Sequence, residues 1–221
     1  MSFAILGWIK AEIVFPEDGV TLNYTHIMFR WTQEPDCNLY NLVVINSSND
    51  TTVNVHTGRT MYIDQTNFNW GQGYVAMLTP IYENENNVQT IDTISFNIGP
   101  AYTFADLNIE IINAEDIQDG LALFSQVSPN FRMVAIDKLG NQVWNSEFAY
   151  INHWNEHGQL FGMKDGRGVE VNFYDDILWM TPSGTEIDAH EIKQIPNGNY
   201  MGITTEDRKS TRLNSSHQII S

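Results

Sequence analysis

The sequence predicts an all-β chain in two parts: an antiparallel sandwich over residues 11–98, then the first one to two blades of a truncated β-propeller over residues 115–207. Two observations predict it. Residues 11–98 hold about seven short alternating or β-rich runs at regular spacing, separated by clusters of Gly, Pro, Asn, Asp and Ser, as antiparallel sandwiches do. Residues 134–203 carry an internal repeat: 134–143 can be laid over 178–187 at an offset of 44, and 158–163 over 198–203 at an offset of 40. A period of 40–45 residues with four short strands per copy is the size of a propeller blade.

Taken in order, the apolar run at residues 3–9 lacks a basic leader and a small-residue cleavage site. It reads as a first strand, with the remnant of a signal peptide as the alternative. Residues 25–31 alternate, placing Ile27, Phe29 and Trp31 on one face; Trp31 reads as a core anchor, because a large flat ring fills the gap between two sheets. Residues 39–45, 51–56, 60–63, 74–81 and 88–98 follow as strands. Between them Pro16-Glu17-Asp18-Gly19, Asn46-Ser47-Ser48-Asn49-Asp50 and Glu83-Asn84-Glu85-Asn86-Asn87 are turn formers. Gly99-Pro100 opens a linker, 99–114, in which 109–112 reads as a short strand. In the second part, 191–195 alternates, Pro196-Asn197-Gly198-Asn199 is a tight turn and 200–203 is the returning strand. The composition shifts at Arg208: three of the 11 basic residues and no acid fall in the last 14 positions. Residues 208–221 resemble a translated sequencing-adapter read and are taken as a non-native tail, a natural basic tail being the alternative.

Charge and composition exclude several classes. The formal net charge of −16 argues against nucleic acid and against docking on anionic lipid. The acidity reads as a solubility feature. One cysteine, Cys37, allows no intrachain disulfide. No stretch of 18 apolar residues predicts a membrane-spanning helix. No P-loop, dinucleotide fingerprint or Gly-x-Ser-x-Gly appears.

Residues 11–98 resemble a fibronectin type III domain, in the immunoglobulin-like class. The likeness rests on a Pro-rich lead-in, a strand ending in Trp31, the Tyr40-Asn41-Leu42 strand, and Trp70-Gly71-Gln72-Gly73-Tyr74 before a strand reaching Thr79-Pro80. It implies a binding or spacer module without chemistry. The second part carries Asp188-Ala189-His190-Glu191, then Ile195-Pro196-Asn197-Gly198-Asn199, preceded by Asp119-Gly120-Leu121-Ala122-Leu123-Phe124 and by Ala135-Ile136-Asp137-Lys138-Leu139-Gly140-Asn141-Gln142-Val143-Trp144. This ordered set, over about residues 115–205, resembles the bacterial arylsulfotransferase family, with Ala189 where the family has the first of two histidines. The resemblance implies transfer of a sulfuryl group from a phenolic sulfate ester to a phenol through a sulfohistidine, outside the cytoplasm of a bacterium, in the periplasm or secreted. It implies no metal and no cofactor; the partners are an aryl sulfate and a phenol, with no nucleic acid and no membrane insertion. His190 matches the pocket-lining motif, and His153 becomes a second pocket candidate through the repeat. The resemblance also implies that the nucleophilic histidine lies in a later blade, so this piece alone is expected to be inactive; a propeller closes with four to eight blades, and about two fit here. The other reading is a non-catalytic adhesion or glycan-binding protein, which Ala189 favours.

Three further clusters read structurally. His153 and His157 would form a zinc half-site only on a helix, and the surrounding Asn and Gly predict a turn. Lys164-Asp165-Gly166-Arg167-Gly168 could cradle a sulfate but reads as a hairpin connection. Asp175-Asp176, read as adjacent strand residues, would point to opposite faces.

Overall fold

The computed structural model describes residues 10–82, 92–102, 110, 113–126, 132–185, 187–188, 190–204 and 217–220. The chain is all-β, with several antiparallel sheets; its described helical content is a single 3₁₀ turn, Ala114–Asp116. It divides into two compact units, 1–101 and 102–221.

Unit one holds β1 (Ile13–Phe15), β2 (Thr21–Leu22), β3 (Ile27–Trp31), β4 (Leu39–Asn46), β5 (Thr51–Thr57), β6 (Met61–Asp64), β7 (Gly73–Ile81) and β8 (Asp92–Ile98). They form two sheets, ordered β1-β3-β6 and β2-β8-β7-β4-β5, antiparallel except for the β2–β8 pair. Period-2 alternation dictates which side chains go inward. Ile27, Phe29 and Trp31 of β3, Tyr40, Leu42 and Val44 of β4, Tyr74, Ala76 and Leu78 of β7, and Ile94, Phe96 and Ile98 of β8 are all buried. Phe29 of the smaller sheet meets Phe96 of the larger, and with Phe68 and Tyr74 they form a cluster with ring centroids 4.9–6.0 Å apart. Each such buried ring contributes about 1.5–3 kcal/mol by burial alone. Trp31 is 2 % exposed and packs edge-on against Tyr40 at 5.6 Å. Pro80 sits inside β7, opposite Tyr40 of β4, and among the described residues β8 pairs with β7 as far as Leu78.

The expected strands at 25–31, 39–45, 51–56, 60–63 and 74–81 correspond to β3 to β7, with ends shifted by up to two residues. The expected strand at 88–98 is observed as β8 from Asp92; residues 88–91 lie outside the described residues, as do 3–9, 109, 111 and 112. Two strands escaped the pattern, β1 and β2.

Unit two is three meanders. The sheets are β9-β10-β11 (Ala122–Gln126, Arg132–Ile136, Gln142–Ser146), β12-β13-β14-β15 (Tyr150–Trp154, Leu160–Lys164, Arg167–Val171, Ile177–Met180) and β16-β17-β18 (Ile192–Gln194, Tyr200–Ile203, His217–Ile220). The last strand, from the segment read as a tail, pairs antiparallel with β17, His217 opposite Ile203.

One turn recurs through both units. At Asn46, Asp137, Asn155 and Asn172 the side-chain oxygen accepts the N–H groups two and four residues on. The backbone closes across the same five residues: Asn155 N–H donates to Gln159 O and Gly158 N–H to Asn155 O. The fourth residue takes the left-handed conformation: Asn49 (φ 65°), Gly140 (81°), Gly158 (74°) and Asp175 (65°). Ile195–Asn199 closes identically through Gly198 (85°), with Asn197 Oδ1 accepting the Asn199 N–H. Short Asn and Asp side chains replace backbone bonds locally, so these residues start hairpins rather than helices. Asp175-Asp176 therefore closes a turn instead of lying in a strand: Asp175 accepts from Ser146 Oγ at 2.6 Å, and Asp176 accepts from Asn172 Nδ2.

Candidate functional site

The segment before β16 is pinned at both ends. Ile187 N–H donates to Gly166 O, Asp188 N–H to Ile203 O at 2.7 Å, and Ile203 N–H returns to Glu191 O. Within it, Asp188 Oδ1 accepts the His190 backbone N–H at 2.9 Å and also bonds His190 Nδ1. These two bonds from His190 hold the Asp188 carboxyl below the usual carboxylate range. A carboxylate only accepts, so Nδ1 carries the hydrogen and Nε2 is left as the acceptor. The His190 side chain is 83 % exposed, so Nε2 faces outward. An imidazole held by a carboxylate at one nitrogen can take a proton at the other, and the carboxylate stabilises the cation formed.

His153 lies on β12 and is exposed. Cross-strand register sets it in a row on one face of the four-stranded sheet: His153 opposite Phe161, Phe161 opposite Glu170, Glu170 opposite Trp179. The β16–β17 hairpin covers the Phe161, Glu170 and Trp179 part of this row. Ile187, Ile192 and Phe161 are buried together, with Trp179 and Tyr200 packed against them. The Tyr200 ring stacks on Trp179 at 3.6 Å, and its hydroxyl donates to Glu170. Glu170 is 3 % exposed; its other oxygen accepts from Gln159 Nε2. Burial, then the bond to Glu170, pushes the Tyr200 phenol well above its ordinary value. Gly168 makes room for the hairpin: a Cβ there would stand 2.3 Å from Ile192 Cδ1.

The repeat aligns the β12–β13 and β16–β17 hairpins, but His190 is not the equivalent of His153. His153 is opposite Phe161 and Lys193 is opposite Met201, so Lys193 takes that place. Strands β12 and β16 approach each other; His153 lies on β12, and the Asp188–His190 segment precedes β16. The Lys164–Arg167 stretch is a two-residue hairpin with Asp165 and Gly166 at φ 52° and 75°. Its cations serve the fold: Lys164 donates to Phe148 O and sits 3.7 Å over the Phe148 ring, and Arg167 Nε donates to Thr181 O. Lys193 bonds Glu191 at 2.8 Å. His153 on a strand and His157 in a turn share no helix face, and among the described residues no group of three or more His, Cys, Asp or Glu is placed to hold a metal.

The motifs around Asp119 and Asp137 line a different feature, a groove of about 400 Å³ between 117–122 and 136–140, crossed by a Lys138–Asp119 ion pair of 2.5 Å. Sequence reasoning missed the parts played by Asp188, Glu170, Gln159, Trp179 and Tyr200. The available signal was Val169-Glu170-Val171, an acid between two β-branched residues in a predicted β region.

No protein-family model and no curated protein matches this chain.

Proposed function

We propose that unit two is the opening part of an arylsulfotransferase-like β-propeller, preceded by a fibronectin III-like sandwich, in an extracytoplasmic bacterial protein. The reaction is sulfuryl transfer from an aryl sulfate to a phenol, with the nucleophilic histidine in later blades. The observation that carries this reading is the imidazole of His190, bonded by Asp188 at Nδ1 and exposed at Nε2. In that state Nε2 accepts the proton of the attacking phenol, and the resulting imidazolium donates to the sulfuryl oxygens where charge develops. Two successive antiparallel meanders, the β16–β17 hairpin and the recurrent five-residue turn support the blade assignment. The aromatic cluster between the two sheets of unit one supports the sandwich.

The test is release of nitrophenol from 4-nitrophenyl sulfate with phenol as acceptor. The uninterrupted gene product is expected to turn over, and His190→Ala in it to lower kcat by about 100-fold or more, the low end of acid–base contributions. Turnover by residues 1–207 alone would refute a nucleophile in later blades, and unchanged kcat in His190→Ala would refute the pocket role.

A second reading, a non-catalytic adhesion or glycan-binding protein, is favoured by one observation. Lys164, Arg167 and Lys193 are all engaged by neighbouring carbonyl or carboxylate groups, while Trp154 and Tyr174 are exposed. Glycan binding abolished by Trp154→Ala, without turnover by the full gene product, would select it.

A further inference from the structure

The edges of the unit-one sheets are treated unequally. An edge strand presents unpaired N–H and C=O groups, and folds blunt such edges by shortness, bulges, Pro or inward charge. Strand β2 is two residues long, and β1 is three, with a register shift between Ile13 and Phe15 and Pro16 directly after it. Strand β6 is four residues long and ends in Asp64, which is buried and accepts from Tyr62, Thr66 and Asn67. Strand β5 carries only one of these devices, a register shift in its pairing with β4 between Val44 and Ile45 that skips Thr52. It runs seven residues, Thr51-Thr52-Val53-Asn54-Val55-His56-Thr57, with no Pro, no Lys and no acid, and among the described residues it pairs with β4 alone.

We propose that the free edge of β5 is an interface for a second copy of this chain, joined antiparallel across a twofold axis so that the five-stranded sheets of two copies become one. Self-complementarity argues for this occupant. A continuous sheet requires partners on the same face, so the pairing preserves the alternation of inward and outward side chains. Centring the axis on Asn54 does this over the regular part of the strand: Asn54 meets Asn54 and Val53 meets Val55 of the second copy. The inward pair is apolar, Val53 being buried and Val55 half-buried, and the outward pair is polar. The flanks then match in charge. Asp50 lies just before β5 and Arg59 two residues after it, both exposed, so each copy's Asp50 falls opposite the other's Gly58, one residue from its Arg59. An isologous contact of this kind makes each complementary pair twice.

The test is the mass of the full 221-residue chain in solution across concentration, by light scattering or sedimentation. The expected result is a concentration-dependent dimer of twice the 25.2 kDa chain mass, with β5 amide exchange slowing as concentration rises. Asn54→Lys sets two like charges opposite each other and is expected to raise the dimer dissociation constant at least about tenfold, since directly opposed like charges destabilise a strand pair. Arg59→Glu is expected to weaken the dimer, and Asp50→Lys with Arg59→Glu to restore it. Circular dichroism and thermal midpoint check that each variant is folded. A monomer at every concentration up to about 1 mM, where 1 mM corresponds to only about 4 kcal/mol of association, overturns the proposal. So does a dimer whose dissociation constant is unchanged in folded Asn54→Lys.

Discussion

At the scale of single residues, the polar group that matters most to unit two is Glu170. A buried carboxylate needs donors on both oxygens. Gln159 supplies one and Tyr200 the other, and Tyr200 comes from a different sheet. Tyr200→Phe leaves that oxygen without its donor and is expected to lower stability by about 1–3 kcal/mol, read as a fall in the urea midpoint. An unchanged midpoint would remove Glu170 from the account of how the sheets are joined. Asp175 offers a test with the opposite sign. Burial raises its pKa above the ordinary 3.8, outweighing the bond from Ser146 and the charge of Lys164, with Asp176 also raising it. A carboxyl whose folded value is raised contributes its full share below the unfolded pKa, and loses it as pH rises through the folded value. Asn keeps the acceptor for Ser146, carries no charge and suits φ 65° better than Asp. Asp175→Asn is therefore expected to melt higher than the parent at pH 7, with the advantage shrinking towards pH 3. A constant difference across that range would contradict the burial argument. Neither residue was legible beforehand. Val169-Glu170-Val171 reads as a strand with its acid outward, and only the covering hairpin makes that face interior. Asp175 was visible as a residue but was assigned to a strand, because the turn that Asn172 builds depends on side-chain to backbone bonds rather than on periodicity.

At the scale of elements, legibility followed length. Strands β3, β4, β5 and β7 run five to nine residues and show their alternation, so they could be read directly. Strands β1 and β2, at three and two residues, are too short to show a period, and β2 exists by pairing with β8, some 75 residues away along the chain. The Asn197-Gly198 hairpin was legible for chemical reasons, since few residue pairs accept the left-handed turn. What could not be read was where the hairpin lands. It docks on Gly168, where a Cβ would stand 2.3 Å from Ile192 Cδ1 and 2.7 Å from Ile187 Cδ1. Gly168→Ala is expected to destabilise by about 1–3 kcal/mol through overpacking. Ile192→Val removes the δ-methyl and alone costs about 0.5–1.5 kcal/mol. The two together should cost less than their sum, because the second relieves the tightest of the contacts that the first creates. Strict additivity in a double-mutant cycle would show that the hairpin does not rest on this glycine.

At the scale of the whole molecule, the chain joins two kinds of β structure. Unit one buries an aromatic core between two sheets. Unit two repeats one turn to make successive meanders, and the His190 imidazole, held by Asp188, lies just before β16. His190 could be picked from the sequence because the turn after it is distinctive. Asp188 could not, since a contact two residues apart forms only where the chain turns, and the alternation signal begins after it. The central claim is that Asp188 fixes the ring of His190 with hydrogen on Nδ1 and leaves Nε2 bare. The direct measurement is the tautomer of the neutral ring, from nitrogen-15 chemical shifts of His190. The account predicts a protonated Nδ1 and an unprotonated Nε2 in the parent chain, with the preference lost in Asp188→Ala. A ring protonated at Nε2, or a Nδ1-protonated ring that persists unchanged in Asp188→Ala, would contradict it.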